Sequence, residues 1–255
     1  MRKLLILLAL LSLLLPTFAA NAASAEDARQ TWQNAIAARL SADVAYKQAT
    51  EKYQKDKTPE NDAGVIDAAK AALHSVLNEA EAWLNWKNAE AAANPYASAE
   101  IKQNIAADVE KNLAKIAGLR TEVDAIDNRI EVATVFIKIA GSYVELLADV
   151  ARNTGAVWVE WGNKLIASAE SLEAKLRETA TDNAPALAAL DKAKAELAES
   201  KGHVNEASSA YKLVTLPGTP LIKFAEGNKH LRLARLNLLT AQEYLAEAWR
   251  LILAE

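Results

Sequence analysis

A hydrophobic heptad repeat that runs without interruption from Val109 to Leu172 constrains the fold of this chain more than any other feature. One heptad position holds Val109, Ile116, Val123, Ile130, Ile137, Val144, Ala151, Trp158, Leu165 and Leu172, and a second holds Leu119, Ile126, Ala133, Ala140, Leu147, Thr154, Trp161 and Ser168. No proline occurs between Pro95 and Pro185. Such a repeat predicts one very long helix, over 97–180, that packs along other helices.

The rest of the chain is also expected to be helical. It contains only eight glycines and six prolines, and it is rich in alanine, the best helix former. Thr58-Pro59 and Thr219-Pro220 both have the form of an N-cap residue followed by proline at the first helical position. We therefore predict an all-α fold of about five helices, at 26–56, 59–93, 97–180, 185–215 and 220–254. Each segment carries an apolar stripe, which indicates an elongated antiparallel bundle with coiled-coil character.

The length of the third segment leaves two arrangements open. A continuous helix over 97–180 would extend on the order of 125 Å, whereas its neighbours reach only about 50 Å. Either the helix is continuous and is shared by two three-helix subbundles, at about 26–135 and 136–255, or it breaks near Gly155 and folds back into a compact bundle. The heptad phase is unbroken across Gly155, which favours the continuous helix.

The first 25 residues have the pattern of a cleavable bacterial export signal. A basic start precedes an apolar core over 4–15, and small residues then lead to the cleavage pattern Ala23-Ser24-Ala25. We predict cleavage after Ala25 and a mature protein, residues 26–255, in the periplasm or outside the cell. A retained membrane anchor is the alternative, although the core is shorter than the roughly 17–25 residues that a transmembrane helix requires.

Charge and cysteine content narrow the class of partner. Removal of the signal would take away two of the 29 basic residues and none of the 33 acidic ones, so the formal net charge would change from −4 to −6. A protein this acidic lacks the basic footprint that nucleic-acid binding requires. The absence of cysteine excludes disulfides, thiol nucleophiles and thiolate metal sites. We expect no transmembrane helix in the mature chain, while contact with a membrane surface stays open.

The middle of the long repeat carries the strongest signal of an interaction surface. The segment from Val132 to Ala140 is apolar around almost the whole circumference of a helix, and such a helix must be covered on all sides. Neighbouring helices would cover it in a compact bundle, whereas another molecule would cover it in the tandem arrangement. The predicted interaction residues are Val132, Val135, Phe136, Ile137, Ile139, Val144 and Leu147.

The chain shows no pattern of catalytic or metal-binding residues. His74, His203 and His230 are far apart and lie outside any metal-binding motif. Only Glu226 and His230, at i and i+4, could share a ligand, and a metal site requires more donors. Ser209–Lys212 matches a Ser-x-x-Lys acylation motif, but the companion motifs are missing. We therefore predict no catalytic residue, no metal and no cofactor, and a protein that is not an enzyme.

Two tryptophan pairs are candidates for ligand contact. Trp83 and Trp86 are spaced i, i+3, and so are Trp158 and Trp161. Two indoles on one helix face can stack on sugar rings or hold an apolar ligand. The alternative is that these indoles fill wide layers of the core.

A basic group at the start of the last helix is the third candidate surface. Lys229, Arg232 and Arg235 cluster there in an otherwise acidic protein. They could meet anionic lipid, an acidic envelope polymer or an acidic partner helix. The alternative is a solvated face whose charges pair within the helix.

These features predict an exported, non-enzymatic helical-bundle protein. We expect it to act as a scaffold, adaptor or assembly component of the bacterial cell envelope through helix-face protein–protein contacts, with a protein partner or with further copies of itself. Two alternatives stay open. One is a carrier that binds an apolar or sugar-like ligand in a bundle interior lined by tryptophan, and the other is a periplasmic holding chaperone.

Overall fold

The computed structural model describes residues 22–254, and within that range the chain folds into six α-helices. They are α1 (Ala22–Lys55), α2 (Pro59–Ala93), α3 (Ala99–Asp124), α4 (Arg129–Thr179), α5 (Ala184–Lys212) and α6 (Pro220–Leu253). The predicted all-α fold is confirmed. The export signal predicted over 1–25 lies outside the described residues except at 22–25, which form the first turn of α1.

The chain divides between Asn94 and Pro95 into two compact units. The first contains α1 and α2, and the second contains α3 to α6. The arrangement of two subbundles that share the long helix, at about 26–135 and 136–255, was one of the two left open from the sequence.

The segment 97–180, predicted as a single helix, is two helices. α4 is continuous through Gly155, but the chain leaves the helical conformation between Asp124 and Arg129. Asn128 caps α4, because its side-chain oxygen accepts hydrogen bonds from the backbone N–H groups of Ile130 and Glu131, each at 3.0 Å. The Glu131 carboxylate in turn accepts from a backbone N–H just before the cap, that of Asp127 (2.7 Å). This arrangement resembles a capping box and begins a new helix without any proline.

The first unit is a helical hairpin of α1 and α2. Thr58 caps α2 by accepting a hydrogen bond from the backbone N–H of Asn61 (3.2 Å). The buried Asn61 amide donates to the carbonyl oxygen of Asp56 (2.7 Å), which fixes the turn. Arg39 of α1 forms an ion pair with Glu79 of α2. The buried stripe of α2 includes Val65, Ala69, Leu73, Leu77, Ala80 and Leu84.

In the second unit, α3 and α4 form an antiparallel hairpin. Arg152 of α4 pairs with Asp108 of α3 at 2.7 Å, and Lys138 of α4 pairs with Glu122 near the hairpin tip. The buried side chains include Ile105, Val109, Ile116, Leu119 and Val123 of α3 and Val135, Ile139 and Leu146 of α4. The buried face of α3 therefore contains its heptad positions. The face of α4 that packs against α3 contains other positions, those of Val135, Ile139 and Leu146.

A polar layer crosses this hairpin. The buried Asp149 accepts a hydrogen bond from the Asn112 amide (3.0 Å), and Arg152 contacts both Asp149 (2.8 Å) and Asp108 (2.7 Å). Burial alone would lower the pKa of Arg152, but the hydrogen bond to Asp108 and the charge of Asp149 outweigh burial and raise it. Sliding either helix by one turn would separate these partly buried charges, so the layer fixes the register of the hairpin.

From Ala148 onward, α4 packs with α5 and α6 as a three-helix bundle. Its core contains Ala148, Ala207, Tyr211 and Val214 at one end, Ile166, Val204 and Ala234 in the middle, and Leu176, Leu190, Ala193, Leu245 and Ala248 at the other end. Asn183 caps α5 by accepting from the N–H of Ala186 (2.9 Å), and its amide donates to the carbonyl oxygen of Leu251 (3.2 Å). This side chain joins the start of α5 to the end of α6.

The ring of Tyr211 lies between two glycines. A Cβ atom at Gly155 of α4 would be 2.3 Å from Tyr211 Cγ, and one at Gly227 of α6 would be 2.5 Å from Tyr211 Cε1. Neither glycine has a positive φ, so both serve to leave space for the ring. The Tyr211 hydroxyl donates to Asn228 Oδ1 (2.6 Å), and burial raises the pKa of this phenol. Gly155 is therefore a contact position and not the helix break considered from the sequence.

Candidate functional site

The first half of α4 exposes a row of large apolar side chains, here called the outer stripe. Its members are Ile130, Phe136, Ile137, Val144 and Leu147, with Ala133 and Ala140 exposed between them. Ile130 is 80% exposed, Ile137 69% and Phe136 58%. Six of these seven residues belong to the two heptad positions that suggested the long helix. In the first half of α4 the heptad repeat therefore faces the solvent.

The outer stripe occupies the part of α4 that the neighbouring helices of the second unit do not cover. Within the second unit α3 packs only on α4, and it covers the face that carries Val135 and Ile139. The hairpin of α5 and α6 covers α4 from Ala148 onward, where Val214 of the connecting loop joins the buried cluster. Toward the hairpin tip no helix of the second unit therefore covers the outer stripe. Four apolar side chains at the α5–α6 connection are also exposed, namely Leu213, Leu216, Leu221 and Ile222.

The structure divides the predicted interaction residues into two faces. Val135 and Ile139 are buried, because they face α3, and they are withdrawn from the candidate surface. Val132 is half-buried at the edge. The other four, Phe136, Ile137, Val144 and Leu147, are exposed on the outer stripe. Ile130 was missed, although it lies in the same heptad series and is the most exposed large apolar residue of the described chain.

Few charges interrupt the outer stripe. Between Val132 and Leu147 the only aspartate, glutamate, lysine or arginine residues are Lys138 and Glu145. Both form ion pairs with α3, with Glu122 and Lys115 respectively. These charges stabilise the hairpin on its inner edge, so the outer face consists of apolar and small side chains.

Each tryptophan pair meets aromatic neighbours within its own unit. Trp86 stacks on Trp32 with ring centroids 4.8 Å apart and an interplanar angle of 18°, and Trp83 is half-buried. In the second unit, Trp158 lies 6.1 Å from the Phe224 ring and Trp161 lies 5.8 Å from the Tyr96 ring. Trp158 and Trp161 are 38% and 42% exposed, so they are packed on one side and open to the solvent on the other.

The predicted basic group lies on the surface of α6. Lys229, Arg232 and Arg235 are all exposed, and so are Leu236 and Leu239 on the same side of the helix. This face combines cationic and apolar side chains, which is a composition found on helices that contact anionic surfaces.

Lys223, which precedes that face, is paired with Glu226 (2.7 Å). The hydrogen bond from Lys223, followed by the charge of Lys223, lowers the pKa of Glu226. This pair is therefore a local contact within one turn of α6 and adds no free cation to the basic group.

The fold also assembles a cluster that was not predicted from the sequence. His203 and Glu206 lie one turn apart on α5, and His230 of α6 faces them. The Nδ1 atoms of His203 and His230 lie 2.9 Å and 2.8 Å from the same oxygen, Glu206 Oε2. The hydrogen bond with His203 is the main cause that lowers the pKa of Glu206. The third histidine, His74, lies on α2 in the other unit.

Only the pairing of α5 with α6 brings this cluster together. The two histidines are 27 positions apart in the sequence, and their ring centroids are 5.8 Å apart in the structure. The only sequence signal for a shared ligand near His230 was the i, i+4 pair of Glu226 and His230. In the structure Glu226 instead forms an ion pair with Lys223. Aligning the two predicted helices antiparallel about their connecting loop could have placed His203 opposite His230.

No protein-family model, curated protein or solved structure matches this chain significantly. No helix within residues 22–254 combines the length and apolarity needed to cross a bilayer.

Proposed function

We propose that this chain is an exported, non-enzymatic assembly component of the bacterial cell envelope that acts as a scaffold or adaptor through helix-face contacts. The observation that carries the proposal is the outer stripe, an apolar helix face that the other helices of the second unit leave open. Contiguous apolar surface of this kind is characteristic of interaction sites, since water makes it costly to leave uncovered. The pattern of residues 1–25 supports export to the periplasm or beyond.

The first partner of the outer stripe is a second copy of the same chain. In an antiparallel pair of helices, the two heptad positions of one helix meet those of the other in mixed layers. If the pairing is centred between Lys138 and Ile139, the facing positions are Ile130 with Leu147, Ala133 with Val144, and Ile137 with Ala140. Two of the three layers then set a β-branched side chain against an alanine, which is the alternation of large and small that lets helices interdigitate.

The same pairing also matches the ends of the outer stripe. The stripe occupies 18 residues, Ile130 to Leu147, or about 27 Å of helix. At one end lies the hairpin tip, and at the other lies the α5–α6 connection with its exposed Leu213, Leu216 and Leu221. A two-fold antiparallel arrangement brings the tip of each copy toward the connection of the other, so both exposed regions are covered by one isologous contact.

Sedimentation velocity of the mature chain tests this proposal. We expect a dimer at micromolar concentration, and we expect Ile137→Asp to weaken association by at least tenfold, because it removes on the order of 1–2 kcal/mol of apolar burial per copy and buries a charge. Since Ile137 is 69% exposed, the variant should keep its helical circular dichroism. Ala167→Asp, an exposed alanine further along α4, is the matched control and should leave the dimer intact.

A complementary pair of variants tests the register. Ile137→Asp and Ala140→Lys should each be monomeric alone, whereas an equimolar mixture should form a heterodimer through one Asp–Lys contact. A mature chain that sediments as a monomer at all concentrations would overturn self-association and leave a different protein as the partner. The intact mass of the exported protein checks the predicted cleavage after Ala25.

A further inference from the structure

We propose that His203, Glu206 and His230 form a binding site for a divalent transition-metal ion between α5 and α6. This site is independent of the outer stripe and of the proposed assembly role. Two imidazole nitrogens, which are borderline donors, combined with one carboxylate oxygen suit zinc, nickel, cobalt and copper(II), in contrast to the all-oxygen sets that suit calcium and magnesium. The three donor atoms all lie within 4.8 Å of one another.

The positions of the donors fit an ion better than a hydrogen-bonded cluster. His203 Nδ1 is hydrogen-bonded to Glu206 Oε2 (2.9 Å). His230 Nδ1 lies 2.8 Å from the same oxygen, yet its geometry forms no hydrogen bond, and this buried nitrogen has no hydrogen-bond partner among the residues that the structure describes. A nitrogen buried without a partner is unfavourable, and an ion between the three atoms would supply the missing partner.

The separations also indicate the coordination geometry. With metal–ligand distances of about 2.1 Å, each histidine Nδ1 and Glu206 Oε2, 2.9 Å and 2.8 Å apart, would subtend an angle of about 84–87° at the ion. Angles of this size belong to one face of an octahedron, which is the geometry that two histidines and one carboxylate commonly supply. Glu206 is exposed, and the two histidines are half-buried, so water can reach the ion and complete its coordination.

The site would link two helices whose chain connection lies at only one end of the hairpin. His230 lies two residues after Asn228, which holds the Tyr211 hydroxyl, and His203 follows Gly202 on the neighbouring helix. A bound ion would therefore hold α5 and α6 together close to the Tyr211 contact. Because only the folded hairpin presents all three donors, the ion should raise the thermal midpoint of the second unit.

Isothermal titration of the full mature chain with Zn²⁺ tests the site, with protein purified without a polyhistidine tag. We expect one ion per chain, and with Co²⁺ a weak visible absorption from its d–d transitions that is displaced by Zn²⁺. His230→Gln and His203→Gln should each weaken Zn²⁺ binding by about tenfold or more, at least as much as the loss of an outer-shell partner does. Ca²⁺ and Mg²⁺ should not bind at these residues.

Two control variants separate the site from other histidines and carboxylates. His74→Gln removes the histidine of the other unit, and Glu226→Gln removes the nearby carboxylate that pairs with Lys223. Both should bind Zn²⁺ as the wild type does. Circular dichroism before titration shows that each variant is folded, and Glu206→Gln provides a third removal of a donor if one histidine variant is not. Absence of Zn²⁺ binding up to millimolar concentration, or binding unchanged in the His203 and His230 variants, would overturn the proposal.

Discussion

The contact between Tyr211 and Gly155 allows one substitution to be worked out in detail. In an exposed helix interior, Gly→Ala stabilises a protein by about 1 kcal/mol, because alanine has the higher helix propensity. At Gly155 the new methyl carbon would lie 2.3 Å from Tyr211 Cγ, whereas carbon atoms in contact prefer about 3.5–4.0 Å. On its other side the ring lies against Gly227 of α6, where an added Cβ would be only 2.5 Å from Tyr211 Cε1, so the closeness of that helix leaves the ring little room to retreat.

We therefore expect Gly155→Ala to reverse the usual sign of this substitution. Overpacking of a core typically costs about 1–3 kcal/mol, and here it should exceed the gain in helix propensity. Because the 2.3 Å contact is severe, we take the upper part of that range, and about 2–3 kcal/mol less a gain of about 1 kcal/mol leaves a net loss in the free energy of unfolding of about 1–2 kcal/mol. With a slope of about 2 kcal/mol per molar urea, the midpoint of urea unfolding should fall by about 0.5–1 M.

Matched glycines supply the control. A methyl group at Gly118 of α3 or at Gly202 of α5 would meet no atom within 4 Å outside its own stretch of helix, so Gly118→Ala and Gly202→Ala should raise the midpoint. In a Tyr211→Leu background the cost of Gly155→Ala should shrink by about 0.5–3 kcal/mol, the coupling expected between contacting residues. The reasoning would be refuted by a Gly155→Ala variant as stable as the Gly202→Ala variant, or by a cost that Tyr211→Leu leaves unchanged.

Two further substitutions test the polar groups of the second unit. Arg152→Met should lower the free energy of unfolding by about 2–4 kcal/mol in urea, because it leaves Asp108 without its cation and Asp149 with only the more distant Lys111 (3.8 Å). The cost lies at or below that of breaking a fully buried pair, since Arg152 is about a quarter exposed. Tyr211→Phe removes the hydrogen bond to Asn228 and should cost about 0.5–1.5 kcal/mol at neutral pH. The same variant should be less sensitive to alkali. Burial raises the pKa of Tyr211 above its ordinary value of 10.0, so the tyrosine of the unfolded chain ionises first as the pH rises. Above about pH 10 the free energy of unfolding of the wild type should therefore fall by up to about 1.4 kcal/mol per pH unit more than that of the variant. Equal slopes of stability against pH for the two proteins would contradict this assignment.

The helical fold and four of the six helix starts could be predicted from the sequence, but the face that each helix buries could not. Apolar periodicity and Thr-Pro pairs indicate where helices form, because both act locally. A heptad count across 125–128 assumes a continuous helix, but a heptad position keeps its direction only within one helix. The break therefore places the repeat inward on α3 and outward on the first half of α4.

The signal for that break was present in the sequence. Asn128 followed by Glu131 has the spacing of a capping box, and its hydrogen bonds begin α4. Reading that signal would have restarted the helical phase at Arg129 and separated Ile137 from Val135 and Ile139. From the sequence Gly155 is a candidate helix breaker, but in the structure it leaves space for the ring of Tyr211. Tyr211 lies 56 positions later, and no local pattern connects the two residues.

The histidine cluster illustrates a different limit of sequence reasoning. His203 and His230 lie on helices of different sequence, and their meeting depends on the length of the connection between α5 and α6. The Ser200 hydroxyl, which donates to the carbonyl oxygen of Ala234 (2.9 Å), belongs to the same antiparallel alignment. Such a register is a property of the folded pair of helices, so a search for motifs within single helices could not reveal the cluster.

The α3–α4 hairpin can change its length without disturbing the bundle that follows. Within the second unit α3 packs only on α4, and the polar layer at Asp149 and Arg152 fixes the hairpin register near Ala148, where the bundle begins. Seven residues inserted into each arm beyond that layer would add about 10 Å of reach and repeat the same buried and exposed faces. The reach of this arm is therefore a quantity that evolution or an engineer can adjust independently of the stability of the bundle.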